Sequence, residues 1–321
     1  MSWSAVSPPS GPDPASPGGS PFRAGAADAA IHDRGYQPYR GERTGTRGAM
    51  RAVFVQTIQR VMGMRRSARH KIVPWLTVAI AYLQAIGTIA VAGVFGGLAE
   101  DLGADAPLSK DAYLEVAFGP QVLIVVFAAV AAAEALCPDR RDGLATYYLV
   151  SQLDRRLYTF TKWTAVVSLM SLVTVGPAML TLVGLTILGQ GPGGPLDVLD
   201  TSLRISGVGL LVATSLATVC LGIASLMKRT GPAVAVIVGT MIATSTVAEI
   251  LRVSGRTYES VFASPTLAIV ELASRIFGGV TVLDTGVESV GDAAVASAWA
   301  LWIVVSAAVL AARMLHLEAT R

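Results

Sequence analysis

The segment WTAVVSLMSLVTVGPAMLTLVGLTIL, residues 163–188, decides the fold class because it is apolar throughout and contains no charged side chain. A helix of about 20 apolar residues crosses the roughly 30 Å hydrocarbon core of a bilayer. Comparable apolar runs lie at about 72–98, 116–137, 205–227, 231–251 and 293–312. The sequence therefore predicts an all-α polytopic membrane protein, with six transmembrane helices within residues 72–316.

The composition of the whole chain excludes an ordinary soluble enzyme. The 321 residues are 53% hydrophobic and only 15% charged, and the mean hydropathy is +0.57. Soluble domains carry about 25% charged residues. The hydrophobic excess must therefore face lipid.

The positions of lysine and arginine predict the orientation. Twenty of the 25 lie up to residue 71, between 138 and 162, in the turn at 228–229, or at the C-terminal end. By the positive-inside rule, we expect a multi-pass protein of the plasma membrane with both termini in the cytoplasm. This asymmetry also explains the pI of about 9.0 without a nucleic-acid partner. The excess of arginine over lysine, 21 against 4, is typical of a GC-rich bacterial genome.

Three segments outside the spans have their own character. Residues 1–30 are rich in Pro, Gly, Ser and Ala, which predicts a disordered cytoplasmic tail. The cytoplasmic segment 31–71 contains an amphipathic helix, expected to lie on the inner leaflet with its arginines, including Arg60, near lipid headgroups. A soluble core helix is the alternative interpretation. The extracytoplasmic loop 252–292 contains a short helix beginning at Ser264-Pro265, which predicts a re-entrant or interfacial element.

Small residues and one proline stand out within the spans. Gly93 with Gly97, and Ala235 with Gly239, have the four-residue spacing that lets two helices approach closely, either within one subunit or between subunits. Gly176-Pro177 in the third span predicts a kink, with a gating hinge as the functional alternative. These residues are candidates for packing and movement, not for chemistry.

Catalytic and metal-binding patterns are missing from the sequence. It contains no G-x-S-x-G, no H-E-x-x-H, no G-x-x-x-x-G-K-[ST] phosphate loop, and no histidine within a span. We therefore expect no catalytic residues, no metal site and no bound cofactor, and we interpret Cys137 and Cys220 as packing residues. Glu134 and Glu249 lie near span ends, so no ionisable group is evident at the midplane, where ion-coupled carriers need one.

The segment EALCPDRRDGLATYYLVSQLDRRLYTFTKW, residues 134–163, is the most informative for function. It places two tyrosines and several leucines between two clusters of charge, in the cytoplasmic loop 138–162. A solvated loop does not need exposed apolar side chains at these positions. A short amphipathic helix that docks into a groove of a partner protein does.

This order of residues resembles the permease subunits of ATP-binding cassette transporters of the type-2, exporter-like class, in their actinobacterial form. The matching positions are Glu134, the charged stretch 139–142, Gly143, a leucine-rich coupling helix at 144–150, 154–156, Tyr158 and Lys162. Gln152 stands where the family usually has proline. The resemblance begins near residue 31 and includes the six spans and the extended last outer loop.

The resemblance implies that a separate ATPase subunit binds ATP and Mg²⁺ and pushes on the coupling helix, while this chain is not itself an enzyme. It also implies a second permease subunit, identical or different, with the substrate path at the interface. The expected docking residues are Glu134, Arg140, Arg141, Asp142, Leu144, Tyr147, Tyr148, Asp154, Arg155 and Arg156. Two alternatives remain, a membrane-anchored assembly or sensor subunit and an ion-coupled secondary transporter.

Overall fold

The computed structural model describes residues 45–64, 69–101, 113, 116, 121–143, 153–277, 287 and 289–315, without the side chains of 69–70, 95–101 and 315. All regular structure in these residues is helical. The helices are α1 (Gly45–Val61), α2 (Arg69–Asp101), α3 (Gln121–Arg141), α4 (Arg155–Thr174), α5 (Gly176–Ile187), α6 (Pro195–Ala224), α7 (Thr230–Val253), α8 (Thr257–Ala263), α9 (Pro265–Ile276) and α10 (Asp292–Leu315). The predicted tail at 1–30 and the predicted coupling helix at 144–150 lie outside the described residues.

Six helical segments are long and apolar enough to cross a membrane, as the sequence predicts. They are Lys71–Val94, Gln121–Arg141, Arg155–Ile187, Pro195–Ala224, Thr230–Val253 and Asp292–Met314. Large apolar side chains on them remain exposed, including Val94, Val122 and Ile187, each at 70% or more. A water-soluble protein rarely exposes apolar surface on this scale. The fold is therefore that of an all-α polytopic membrane protein.

Two of these helices extend well beyond the uncharged runs of the sequence. The third span begins at Arg155 rather than near 163, because Asp154 caps the first turn of α4 by accepting a hydrogen bond from the Arg155 amide at 3.0 Å. The fourth begins at Pro195 rather than near 205, and includes an exposed ion pair between Arg204 and Asp200 at 2.7 Å. Both helices thus include charged residues whose partners lie within the protein.

Helix α6 forms the centre of the bundle and contacts α3, α4, α5, α7, α9 and α10. Side-chain hydrogen bonds connect it to α4 and α10. The indole of Trp163 donates to Thr218 Oγ1 at 2.9 Å, and the indole of Trp299 donates to Ser215 Oγ at 2.8 Å. The Thr174 hydroxyl donates to the Gly209 carbonyl at 3.0 Å. Polar groups in hydrocarbon need such partners, so these bonds help to fix which faces of α4 and α10 meet α6.

The third span is divided at Val175 into α4 and α5, next to Gly176-Pro177. Pro177 has no amide hydrogen to continue the helical ladder. The Tyr82 hydroxyl of α2 donates to the Leu172 carbonyl at 3.3 Å. A Cβ atom on Gly176 would lie only 2.1 Å from that hydroxyl oxygen. Pro177 and the Tyr82 side chain of α2 therefore both lie at the break in the third span. A hinge motion at this break stays a prediction.

The described part of the segment 252–292, which the sequence predicts to be extracytoplasmic, contains two short helices, α8 and α9. As expected, α9 begins after Ser264, whose hydroxyl accepts a hydrogen bond from the Leu267 amide at 3.3 Å. Helix α9 packs against α6, α7 and α10. Arg275 joins it to the first turn of α10, because its guanidinium pairs with Glu271 at 2.9 Å and with Asp292 at 2.6 Å. The loop is thus part of the helical bundle.

The two pairs of small residues differ in their surroundings. Gly93 is exposed, but a Cβ built on it would lie 3.6 Å from the Leu188 side chain, so one neighbour of this glycine is within the subunit. Gly97 falls among the residues whose side-chain contacts are not described. Ala235 and Gly239 lie on an exposed face of α7, where a Cβ on Gly239 would meet no described atom within 4 Å. The α7 pair is therefore available to a neighbour outside this bundle.

The contact between α6 and α10 predicts a stability effect at Gly222. A Cβ on this residue would lie 2.8 Å from the Ser306 carbonyl oxygen, a backbone atom that cannot rotate away. We expect Gly222→Ala to destabilise the protein by about 1–3 kcal/mol through overpacking. Gly207→Ala in the same helix, where a Cβ meets open space, is the matched control. Thermal unfolding in detergent micelles measures the difference, and equal melting temperatures for the two variants would contradict this packing.

Candidate functional site at Asp139

Among the described residues, buried charge is most concentrated where α3 ends and α4 begins. We call this end of the helical bundle the basic end. Helix α3 continues past Pro138 and finishes at Arg141, so its last turn contains Asp139. The C-terminal end of a helix carries partial negative charge and disfavours a carboxylate. Asp139 is also fully shielded from solvent. Both effects require cations close to this side chain.

Three side chains supply the partners of Asp139. Arg60 Nη1 of α1 donates to Oδ1, while Lys162 Nζ of α4 lies 2.7 Å from Oδ2. The Tyr158 hydroxyl, also on α4, donates to Oδ2 at 2.6 Å. Together these four residues form the Asp139 cluster. Both carboxylate oxygens are satisfied, and one acid connects three helices.

The cluster is almost closed to water. The side chains of Lys162 and Arg60 are 3% and 12% exposed, and the Lys162 ammonium lies 5.6 Å from the centre of the Tyr158 ring. An ammonium at this distance from an aromatic face gains a cation–π attraction. Buried ions lose their hydration, and the loss is offset only when every charge has a close, hydrogen-bonded partner. The carboxylate is therefore required to keep Lys162 inside the bundle.

The position of α1 follows from this cluster and from apolar packing. Val53 of α1 packs with Leu153 and Tyr158, and Val61 joins the main core. The buried face of α1 therefore rests on α3 and α4. The expectation that Arg60 lies near lipid headgroups is wrong, because its guanidinium turns inward to Asp139. Asp139 lies at the end of an apolar run, where a carboxylate needs a nearby cation. This need was the sequence signal that could have pointed to an arginine such as Arg60.

The residues that follow Asp139 have separate contacts. Arg140 donates to the carbonyls of Ser225 and Met227, the latter at 3.3 Å, and so caps the C-terminal end of α6. Arg141 and Asp142 pair with each other on the surface at 2.8 Å. Hydrogen bonds from Arg141 lower the pKa of the Asp142 carboxyl. Of these three expected docking residues, Arg141 and Asp142 are exposed, while Arg140 is bound to the α6–α7 turn.

The other expected docking residues lie apart from one another. Asp154 is the exposed N-cap of α4, and Arg156 is exposed on the side of α4 that faces α10. Glu134 and Arg155 are partly buried and already engaged within the protein. Leu144, Tyr147 and Tyr148 lie outside the described residues. Docking by this set as a whole stays a prediction.

The members of the Asp139 cluster lie on both sides of the predicted coupling helix 144–150 in the sequence. Asp139 precedes this segment and Tyr158 and Lys162 follow it, while Arg60 pairs with Asp139 from a third helix. The end of α3 and the first turns of α4 are therefore held together by these contacts. In the part of the chain that the structure describes, no group of three His, Cys, Asp or Glu side chains could hold a metal ion. The chemistry available here is ion pairing and mechanical connection.

Removal of the Asp139 charge should destabilise the bundle. Asp139→Asn leaves the buried Lys162 and Arg60 without their counter-charge, and breaking a buried pair in this way costs about 3–5 kcal/mol. Asp142→Asn, which alters an exposed pair in the same segment, should leave the melting temperature in detergent unchanged.

A second substitution tests whether charge is the cause. Asp139→Asn combined with Lys162→Met should recover part of the lost stability, because it also removes the cation left unpaired. Equal melting temperatures for Asp139→Asn and Asp142→Asn would contradict the role assigned to this cluster.

Comparisons of the chain with models of protein families, with curated proteins and with solved structures give no match. The Asp139 cluster lies at the junction of α1, α3 and α4, next in the sequence to the segment that resembles a coupling helix.

Proposed function

We propose that this chain is the transmembrane permease subunit of an ATP-binding cassette transporter that exports its substrate. A separate ATPase subunit binds ATP and Mg²⁺ below the basic end of the bundle, which faces the cytoplasm. A second permease subunit completes the substrate path. This chain contributes the docking loop and the helices that move.

One observation carries the proposal. The loop that resembles a coupling helix is flanked on both sides by members of a single buried charge cluster, Asp139 before it and Tyr158 and Lys162 after it. A loop that only connects two spans does not need such an anchor. A loop that receives force from an ATPase does, because the force must reach the helices without being absorbed by movement of the loop ends.

The cluster also defines where that force would go. A push on residues 144–152 acts on the end of α3 and on the first turns of α4. Asp139 of α3 pairs with Arg60 of α1 and with Lys162 of α4, so the three helices would move as one body at this end. The break at Val175 separates this body from α5, and gives the third span a position where its two halves can change direction.

A surface for the substrate path lies between α3 and α7. A groove of about 490 Å³ is lined mainly by apolar side chains, together with Ser245, Thr246 and Glu249. Ala235 and Gly239, on the same helix, are exposed and small enough for close approach by another helix. These features favour α7 as part of the interface with the second permease subunit.

The decisive experiment isolates the tagged chain from its native membranes in mild detergent and measures Mg²⁺-dependent ATP hydrolysis in the complex. We expect an ATPase subunit with a phosphate loop to copurify, and its hydrolysis to be stimulated by this chain. Tyr147→Ala with Tyr148→Ala should remove most of that stimulation, because the two aromatic side chains lie between the charge clusters of the loop. Membrane insertion should be unchanged.

Tyr258→Ala is the matched control for this pair. Tyr258 is an exposed tyrosine of α8, at the opposite end of the bundle, so its removal should not change ATP hydrolysis. Unchanged complex yield and stimulation in the Tyr147 and Tyr148 variant would reject the docking surface. A copurifying partner without ATPase activity would indicate the assembly or sensor role. Flux that persists without ATP and collapses with an ion gradient would indicate a secondary transporter.

A further inference from the structure

An apolar groove opens between α4 and α10 on the outside of the bundle, and it reaches the basic end. Its volume is about 540 Å³, and its walls include Phe160, Trp163, Ile303, Ala307, Leu310 and Arg156. The groove lies on spans that face the bilayer, so hydrocarbon surrounds its open side. Its contents must therefore be at least as apolar as lipid chains.

Except for Arg156, the polar side chains of the walls are already hydrogen-bonded within the protein. The Trp163 indole donates to Thr218 Oγ1 at 2.9 Å, and the Thr218 hydroxyl donates to the Thr214 carbonyl at 2.6 Å. The Thr159 hydroxyl donates to the Arg155 carbonyl at 2.9 Å. Phe160 stacks on Trp163 with ring centres 5.8 Å apart. The body of the groove thus offers aromatic and aliphatic contacts and suits a hydrocarbon chain.

Arg156 gives the groove a charged end. It lies in the first turn of α4, next to Met314 at the end of α10, and its side chain is exposed. It makes no ion pair with any residue that the structure describes. The Asp154 carboxylate already caps this end of α4, so the guanidinium of Arg156 is the group that would hold an anion. A guanidinium makes strong, often bidentate hydrogen bonds to phosphate, so a phosphate at this position would pair with Arg156.

We propose that this groove binds an anionic glycerophospholipid, with an acyl chain against Phe160 and Trp163 and the phosphate on Arg156. Charge complementarity selects an anionic lipid over a zwitterionic one. The proposal needs only the membrane-spanning fold and does not depend on the proposed transport function. It gives Arg156 a role different from the ATPase contact expected from the sequence.

The test uses the purified full chain after removal of bound lipid. Native mass spectrometry measures its affinity for phosphatidylglycerol and for phosphatidylcholine with the same acyl chains. One arginine near the surface contributes roughly a fivefold preference for the anionic lipid. Arg156→Gln should remove this preference. Arg313→Gln, an exposed arginine near the end of α10 outside the groove walls, should retain it.

A second pair of variants tests the apolar part of the site. Ala307→Phe fills the groove and should lower the affinity for both lipids several-fold. Ala308→Phe adds the same side chain at an exposed position of α10 that does not line the groove, and should change neither affinity. Melting temperatures equal to that of the unmodified chain establish that each variant is folded.

Three outcomes would overturn the proposal. The first is equal affinity of the unmodified chain for the two lipids. The second is a preference that Arg156→Gln and Arg313→Gln change alike. The third is a dimer that Ala307→Phe dissociates while lipid affinity stays constant, since the occupant of the groove would then be a second copy of the chain.

Discussion

A carboxylate with no access to water is stable only beside cations, and this constraint organises the basic end of the protein. Asp139 has no exposed side-chain area and contacts two cations and one phenol from two other helices. Each of those cations is buried in turn, so none of the charges can be removed alone without leaving another unpaired. The ends of α1, α3 and α4 are therefore fixed relative to one another by charge as well as by shape.

Hydrogen bonding has a related role in the middle of the bundle. Lipid provides little hydrophobic driving force between helices, so packing and polar contacts must determine which faces meet. Trp163 of α4 and Trp299 of α10 both donate hydrogen bonds to α6, and the Gly222 contact brings α10 close to it. The helix with the most neighbours thus also receives specific hydrogen bonds. A small number of polar atoms therefore determines which helix faces meet, both around α6 and at the basic end.

Much of the fold could be predicted from the sequence, because length and hydropathy determine which segments can cross a bilayer. The six spans and the helix after Ser264 follow from such local signals. The early start of α4 at Arg155 did not, since Lys162 interrupts the apolar run. Its charge is tolerated only because Asp139, 23 positions earlier in the chain, lies beside it.

The candidate site shows the same division. The sequence identified the loop and both of its charged borders, since these are contiguous. It did not pair Asp139 with Arg60, which lies on a separate helix, and it assigned Arg140 and Arg156 to a common surface that the fold separates. Contacts between distant positions depend on which faces of the helices meet, and hydropathy patterns carry little information about that.

The order of the cluster along the chain has a consequence for biogenesis. Arg60 is synthesised before Asp139 and Lys162, and its binding site exists only after α3 and the first turns of α4 have been made. Three later helices, α2, α3 and the start of α4, must therefore be made before Arg60 can take its buried place. The final position of α1 thus depends on the assembly of the first three spans.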